Sequence, residues 1–517
     1  MQQFNRRELG LISASLMASS LVPLSSYAQS DTPKRGGILR VAQCSANRRT
    51  ADATNAKHPY FFVDLSTRVA YNCLTWVNEK LEWEYELAND IAPLDEKLAT
   101  WDVQLREGVL FHNGKEMTSS DVVASFNLHR TTGFGAQILR IESVSKYKTR
   151  FFLTEGNAEF PYILAEYQHA IMPADTPEKI GFSGIGTGPF KFVSADPNRS
   201  ATFERNDNYW RKGFPYLDRL EIHNREGQEE AALNGLRARQ FDAVLSIDAR
   251  GLRQIERDSD FEVSIGRGSY HFVIQLPKHP GSPFEDKRIR QALALAIDRD
   301  AINRIAYAGK LGWVGNDSHL VSTDPAFLAR PVKRDVALAK KLLTDAGYPN
   351  GITLPTLYFS PQLPEVPIYF QVLQQTVKDA GITLPIEERP ADGYAQFRTG
   401  DSDISKGKFH KFAMTAVGSR NPGISLNRMR GAFVESGHWR GAAHDRYMEL
   451  YKKAMLTRDA AVRKPIYHEM QRILHEEVPA ILPAGGDAVL VKRKYVRNLS
   501  YHPQIWSVKF DEVWKNS

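Results

Sequence analysis

W-D-V-Q-L-R-E-G-V-L-F-H-N-G-K-E-M-T-S-S-D-V-V-A-S-F, residues 101–126, writes out a complete unit of local structure. Trp101, Val103 and Leu105 alternate with polar residues, and after Gly108 the alternation resumes at Val109 and Phe111. That pattern predicts two short half-buried strands. Asn113-Gly114 then predicts a tight turn, because both residues tolerate positive φ. Thr118 and Asp121 stand at capping-box spacing. A helix is therefore expected to begin at Thr118, with Val122, Val123 and Phe126 along one face.

The pattern W-x-V-x-L-R-x-G-V-x-F-H-N-G-x-x-M-T-x-x-D-V resembles the signature of family 5 extracellular solute-binding proteins, the peptide, opine and nickel receptors of ABC importers. Similar wording recurs in Gly186-Thr187-Gly188-Pro189-Phe190, in Arg205-Asn206 with Tyr209-Trp210, and in G-F-P-Y-L-D-R-L-E-I at 213–222. It returns in F-E-D-K-R-I-R-Q-A-L-A-L-A-I-D-R-D-A-I from Phe284, and in the proline-rich run 478–483. The resemblance implies an α/β periplasmic-binding-protein type II fold: two α/β lobes joined by a hinge, plus an extra smaller domain. Lobe I is expected from 29–70, 185–275 and 488–517, the extra domain II from 71–184, and lobe III from 276–487.

Residues 1–28 predict an export signal peptide. An apolar, serine-rich run from Leu9 to Leu24 precedes Ser26-Tyr27-Ala28, with small residues placed for a cut after Ala28. Adjacent Arg6 and Arg7 point to the twin-arginine route; an ordinary secretory peptide that carries two arginines is the alternative. The run is too short and too interrupted by Ser and Pro for a spanning helix. A periplasmic location follows as the expectation.

Removing Arg6, Arg7 and Glu8 from 67 basic and 60 acidic residues leaves 65 and 59, a formal +6. Basic and acidic residues are interspersed, with no basic stripe among aromatics, so nucleic acid is not an expected partner. At 42% hydrophobic and 10% aromatic residues the chain can bury large cores, and its length favours two or three lobes. Only Cys44 and Cys73 are present. An oxidising compartment permits a bond between them, and two buried thiols are the other reading. Neither has metal-ligand spacing.

Gly36-Gly37 lets the chain turn before an apolar run, Ile38, Leu39, Val41 and Ala42, that predicts a strand. Strands are also predicted at 150–154 and 190–194. Ile289, Ala292, Leu293, Ala296 and Ile297 recur at helical spacing and predict a core-facing helix. Asp335 is expected to cap a helix ending at Gly347, with Leu338, Leu342 and Ala346 on one side. A strand at 352–359, a helix at 366–380 closed by Gly381 and a strand at 383–388 predict a βαβ unit with a parallel pair. A last long helix at 460–477 precedes a strand around Val489.

Catalytic motifs are absent. Gly181-Phe182-Ser183-Gly184-Ile185 lacks the final glycine of a nucleophile elbow. The glycine cluster at 184–188 fits no phosphate loop and reads as a turn or hinge between lobes. His468-Glu469 and His475-Glu476 lie seven apart, a weak metal pattern against a solvated helix face. Asp401 and Asp403 read as loop acids. No cofactor and no metal is expected.

The resemblance places one wall of a ligand cleft at 412–422, F-A-M-T-A-V-G-S-R-N-P. Many relatives carry a Trp here and an Asp before the Pro; this chain has Val417 and Gly418, then Ser419, Arg420 and Asn421. Arg420 offers a fork of donors to a carboxylate or phosphate, which implies an acidic ligand; pairing with a protein carboxylate is the other reading. Tyr270, Trp313 and Trp439 are aromatic candidates for stacking on a ligand, and His169 lies where the second lobe returns toward the hinge. The expected function is an exported, non-catalytic, monomeric receptor that binds a small-molecule ligand and presents it to ABC permease subunits in the inner membrane. A sensor or chaperone of the same fold, or a periplasmic hydrolase, are the alternatives.

Overall fold

The computed structural model describes residues 32–44, 67–130, 133–176, 184–196, 199–330, 332–361, 363–391, 393–400, 409–430, 437–504 and 507–516. The expected signal peptide and the acids Asp401 and Asp403 lie outside these residues.

The strand Thr100–Leu105 pairs antiparallel with Ala88–Pro93 on one edge and Lys148–Leu153 on the other, inside a four-stranded sheet. Trp101, Val103 and Leu105 are buried in its core. The second strand expected after Gly108 does not form. Val109 and Phe111 instead belong to a miniature hairpin, where the Phe111 amide donates to the Lys115 carbonyl at 2.8 Å and Met117 to Val109 at 2.8 Å. The turn at Gly114, with φ +84°, arrives too soon for a ladder, and Leu110 and Glu116 make only an isolated bridge.

Thr118 caps the helix Ser119–His129 as expected. The Asp121 carboxylate accepts from the Thr118 amide at 2.7 Å, the Thr118 hydroxyl at 2.9 Å and, from another segment, the Ala174 amide at 2.8 Å. An Asp121→Ala protein strips all three donors and is expected to lose about 1–2 kcal/mol of stability in urea denaturation.

The largest sheet runs through both halves of the molecule. Its strands follow the order Ile386–Glu388, Leu357–Phe359, Ala413–Gly418, Phe261–Gln275, Ala484–Arg493, Ala243–Leu245, Ile38–Gln43, Arg219–Asn224, Ser200–Arg205 and Phe190–Asp196. Two long strands, Phe261–Gln275 and Ala484–Arg493, carry it from one side to the other. The first half of Phe261–Gln275 runs beside 488–493, and the second half beside Gly485, Gly486 and the strand Ala413–Gly418. Between Gly266 and Tyr270 the register shifts, and Gly268 takes φ +67° there. A bulge bends the strand and twists it locally, so the crossing point is where the backbone is least regular.

Apolar side chains gather into several cores, one of which spans this crossing. One gathers Leu39, Val41, Leu220, Leu490 and Phe510; a second gathers Leu87, Trp101, Phe126 and Phe160. A third joins Ala42, Phe241 and Val491 to Ile289, Leu293, Phe370 and Met414, and Trp439, Tyr447 and Met470 form a fourth.

The βαβ unit forms with parallel partners, Ile352 opposite Ile382 and Leu357 opposite Ile386. Each expected strand is broken in two. Pro355 and Pro385 fall in the middle of their runs and cannot donate to a ladder, so Ile352–Thr353 and Leu357–Phe359 are separate pieces, as are Ile382–Thr383 and Ile386–Glu388. Asp335 caps the helix Val336–Asp345, accepting from Leu338 at 2.8 Å. Its buried residues are Ala339 and Leu343, whereas Leu338 is 42% exposed. The two apolar rows are neighbours on the helix surface, and packing chose the row next to the expected one.

The glycine cluster is a pinned turn. His112 contacts the Gly184 carbonyl through Nδ1 at 3.1 Å and the Gly188 carbonyl through Nε2 at 3.0 Å. At Gly186 and Gly188 a Cβ would stand 2.1 and 2.5 Å from backbone atoms of residues 69 and 70, so only glycine fits. Cys44 and Cys73 are free, buried thiols in different cores, and burial pushes both up to about 12.

Candidate functional site

At the crossing, Ser419 N donates to the Ser269 carbonyl at 2.8 Å, tying the end of Ala413–Gly418 to the long strand. The chain then turns through Ser419, Arg420 and Asn421 into the short helix Pro422–Asn427. Proline suits the first helical turn, where no amide donor is needed. The turn projects polar side chains away from its own lobe.

Arg420 reaches across to a segment 254 residues away. Its Nε donates to Glu166 Oε1 at 2.9 Å and its Nη1 to the Gly418 carbonyl at 3.2 Å. The two side chains are 7% and 4% exposed. Both Arg420 and Arg428 stand on the Phe134 ring, at 5.2 and 5.5 Å from its centroid, within cation–π range. Of the two readings of Arg420, the structure displays the pairing with a protein carboxylate.

A second carboxylate crosses the same junction. Glu159, only 4% exposed, accepts from Gly423 N at 2.8 Å, Tyr467 OH at 3.0 Å and Asn421 Nδ2, with Arg463 Nη2 at 3.2 Å. Burial pushes its carboxyl pKa up, and Arg463 opposes that shift. Beside it the Ala158 amide donates to Met455 O at 2.7 Å.

The long strand adds His271, whose Nε2 lies 2.9 Å from His319 Nδ1. Burial, helped by the charges of Arg428 and Arg420, pushes His271 down to about 3, and burial pushes His319 well below the usual histidine range. Both rings are neutral at physiological pH. Trp313 packs 6.2 Å from His271, in an apolar cluster where Val77, Leu81 and Ala165 meet Trp313 and Val321. That cluster joins segments from the two sides of the crossing.

Among the residues singled out from sequence, Ser419, Arg420, Asn421 and Trp313 come together at this junction. Gly418 supplies a carbonyl, and the Val417 side chain packs into apolar core with Val273 and Leu426. Tyr270 points elsewhere: its hydroxyl donates to Glu365, and its ring occupies the space a Cβ on Gly486 would need. Trp439 is core, packed 5.3 Å from His444 and 5.5 Å from Tyr447. His169 is a fully buried structural histidine, stacked 4.6 Å from Phe126 with Nδ1 on the Ile163 carbonyl at 2.6 Å. The structure does not bring Trp439 or His169 to Arg420. Glu159, Glu166, His271, His319 and Phe134 carry no local signal in the sequence that marks them for this junction. Among the described residues no three His, Cys, Asp or Glu side chains gather as a metal site, His468 and His475 included.

Two α/β lobes joined by two crossing strands, with charged and aromatic side chains meeting over the junction, define a binding protein of the periplasmic type II fold. The chain belongs to the bacterial extracellular solute-binding proteins, family 5; the model of that family's middle region matches residues 82–428. It is similar to the glutathione-binding protein GsiB of Escherichia coli O1:K1 / APEC, 23% identical over 433 residues that cover 80% of this chain and 82% of GsiB. It is also similar to the oligopeptide-binding protein AppA of Bacillus subtilis (strain 168), 29% identical over 52% of this chain and 51% of AppA. Among solved structures, AgaA in complex with agropinic acid, from A.tumefacien R10, superposes with a TM-score of 0.77 at 20% identity, covering 93% of this chain and 99% of AgaA. The family and these neighbours are binding proteins, and no helix of the described residues is long and apolar enough to cross a membrane.

Proposed function

We propose that this protein captures a small organic solute carrying a carboxylate between its lobes and releases it unaltered to the permease of an ABC importer. It works in the periplasm as a monomer, after export by the twin-arginine route, and catalyses nothing. Its lobes are taken to be 29–70, 185–275 and 488–517 on one side and 276–487 on the other, with 71–184 as the extra domain, and the two crossing strands support that reading. One observation carries the ligand class: Arg420 and Arg428 converge on Phe134 at the junction. A guanidinium bonded to a carboxylate in a water-poor cleft contributes about 1.5–3 kcal/mol. Glutathione, oligopeptides and agropinic acid, named for the relatives, all carry carboxylates.

Mass spectrometry of small molecules that copurify with the protein tests the proposal, followed by thermal-shift measurement with each candidate. A ligand at about 100 times its Kd adds about 2.7 kcal/mol to stability. For the solute found, Arg420→Lys keeps a positive charge near Glu166 and removes the fork, so affinity is expected to fall about tenfold. Unchanged affinity removes Arg420 from the site, and turnover of a bound solute overturns the non-catalytic reading.

A further inference from the structure

His271 and His319 are each 1% exposed and bonded to one another at 2.9 Å. Their outer nitrogens, His271 Nδ1 and His319 Nε2, are buried and meet no hydrogen-bond partner. The same holds for Trp313 Nε1, whose ring lies 6.2 Å from that of His271, and for Ser419 Oγ at the end of the neighbouring strand. Buried polar groups in native proteins are almost always bonded, so a group of unsatisfied atoms at the junction of two lobes points to a guest.

The proton count of the pair limits what that guest can be. Two neutral imidazoles own two N–H donors and two lone pairs. The bond between them uses one of each, whichever ring donates. One outer nitrogen is then a donor and the other an acceptor, and a switch of tautomer exchanges them. Such a pair matches a group that both gives and takes a hydrogen bond. On the pair itself an ammonium finds at most one acceptor, beside two guanidiniums; the junction's other unpartnered acceptors, Glu166 Oε2 and Asn421 Oδ1, sit on side chains already bonded to Arg420 and Glu159. A metal ion finds the two inner nitrogens committed to each other and no third ligand among the described residues.

We propose that the His271–His319 pair selects a hydroxyl or amide on the carboxylate-bearing solute, so the ligands are polar acids such as hydroxy acids or amide acids. This inference rests on the reading of the cleft above. The probes are gluconate, hexanoate and succinamate, titrated calorimetrically into the mature chain. Gluconate and hexanoate share a six-carbon acid chain and differ in hydroxyls. Gluconate or succinamate is expected to bind at least tenfold tighter than hexanoate. His319→Leu should abolish that preference, whereas His319→Gln, which keeps a donor and an acceptor, should retain part of it. If His319→Leu fails to fold, His271→Gln and His319→Gln carry the comparison, with the preference reduced at least threefold in each. Equal binding of all three acids, or a preference that survives these variants, overturns this inference and leaves the carboxylate reading standing. Failure of all three acids to bind overturns both.

Discussion

A Glu159→Ala protein is expected to unfold about 3–5 kcal/mol more easily than the wild type. The carboxylate is buried and serves four groups from a distant part of the chain: Gly423 N, Asn421 Nδ2, Tyr467 OH and Arg463. Alanine leaves Arg463 buried without its counter-charge and three donors without an acceptor. The cost of stranding a buried charge exceeds what the pair contributes when intact. Glu159→Leu with Arg463→Met, which removes both charges and fills the volume, is therefore expected to recover most of the loss. Urea denaturation measures all three proteins. Because Glu159 ties its own segment to partners 262 to 308 residues further along the chain, Glu159→Ala should also raise the radius of gyration in small-angle scattering. A destabilisation under 1 kcal/mol would place the network on the solvated surface and sink the account.

That network shows where sequence reading stops. Local signals were legible because each residue carried its own geometry: Thr118 with Asp121 marked a helix start, and Asp335 and Gly381 marked another start and an end. The parallel pair followed from the order strand, helix, strand. Finer choices are not legible where two local rows are equally apolar, as with Leu338 against Ala339, or where a proline splits an apolar run into two short strands, as at Pro355 and Pro385. The site was half legible. Arg420 stood out as a lone guanidinium in an unusual wall segment, yet its partner Glu166 lies 254 residues away and Glu159 lies 262 residues from Asn421. No periodicity or spacing connects such positions. His271 sits in the continuously buried end of a long strand and His319 in a loop, and only the fold makes them neighbours.

Glu365→Gln is expected to change the response to pH more than any other single substitution here. The Glu365 carboxyl is buried at the start of the helix Val366–Val377. Burial pushes its pKa from 4.5 up to about 7, with the hydrogen bond from Tyr270 opposing. The folded state therefore holds this proton more tightly than the unfolded state, so protonation favours folding. Its stabilisation is complete below about pH 4 and is lost as pH rises through 7. At about 1.4 kcal/mol per unit, the loss amounts to about 3 kcal/mol. Asp324, pushed up to about 7 by its own burial, acts in the same direction. Glutamine is neutral at every pH and its carbonyl can accept from Tyr270. Glu365→Gln should thus match the wild type near pH 5 and exceed it by about 3 kcal/mol near pH 8 in thermal denaturation. Parallel stability curves for the two proteins from pH 5 to 8 would show that Glu365 is ionised in the fold throughout, and that Tyr270 and the helix start solvate its charge better than burial penalises it.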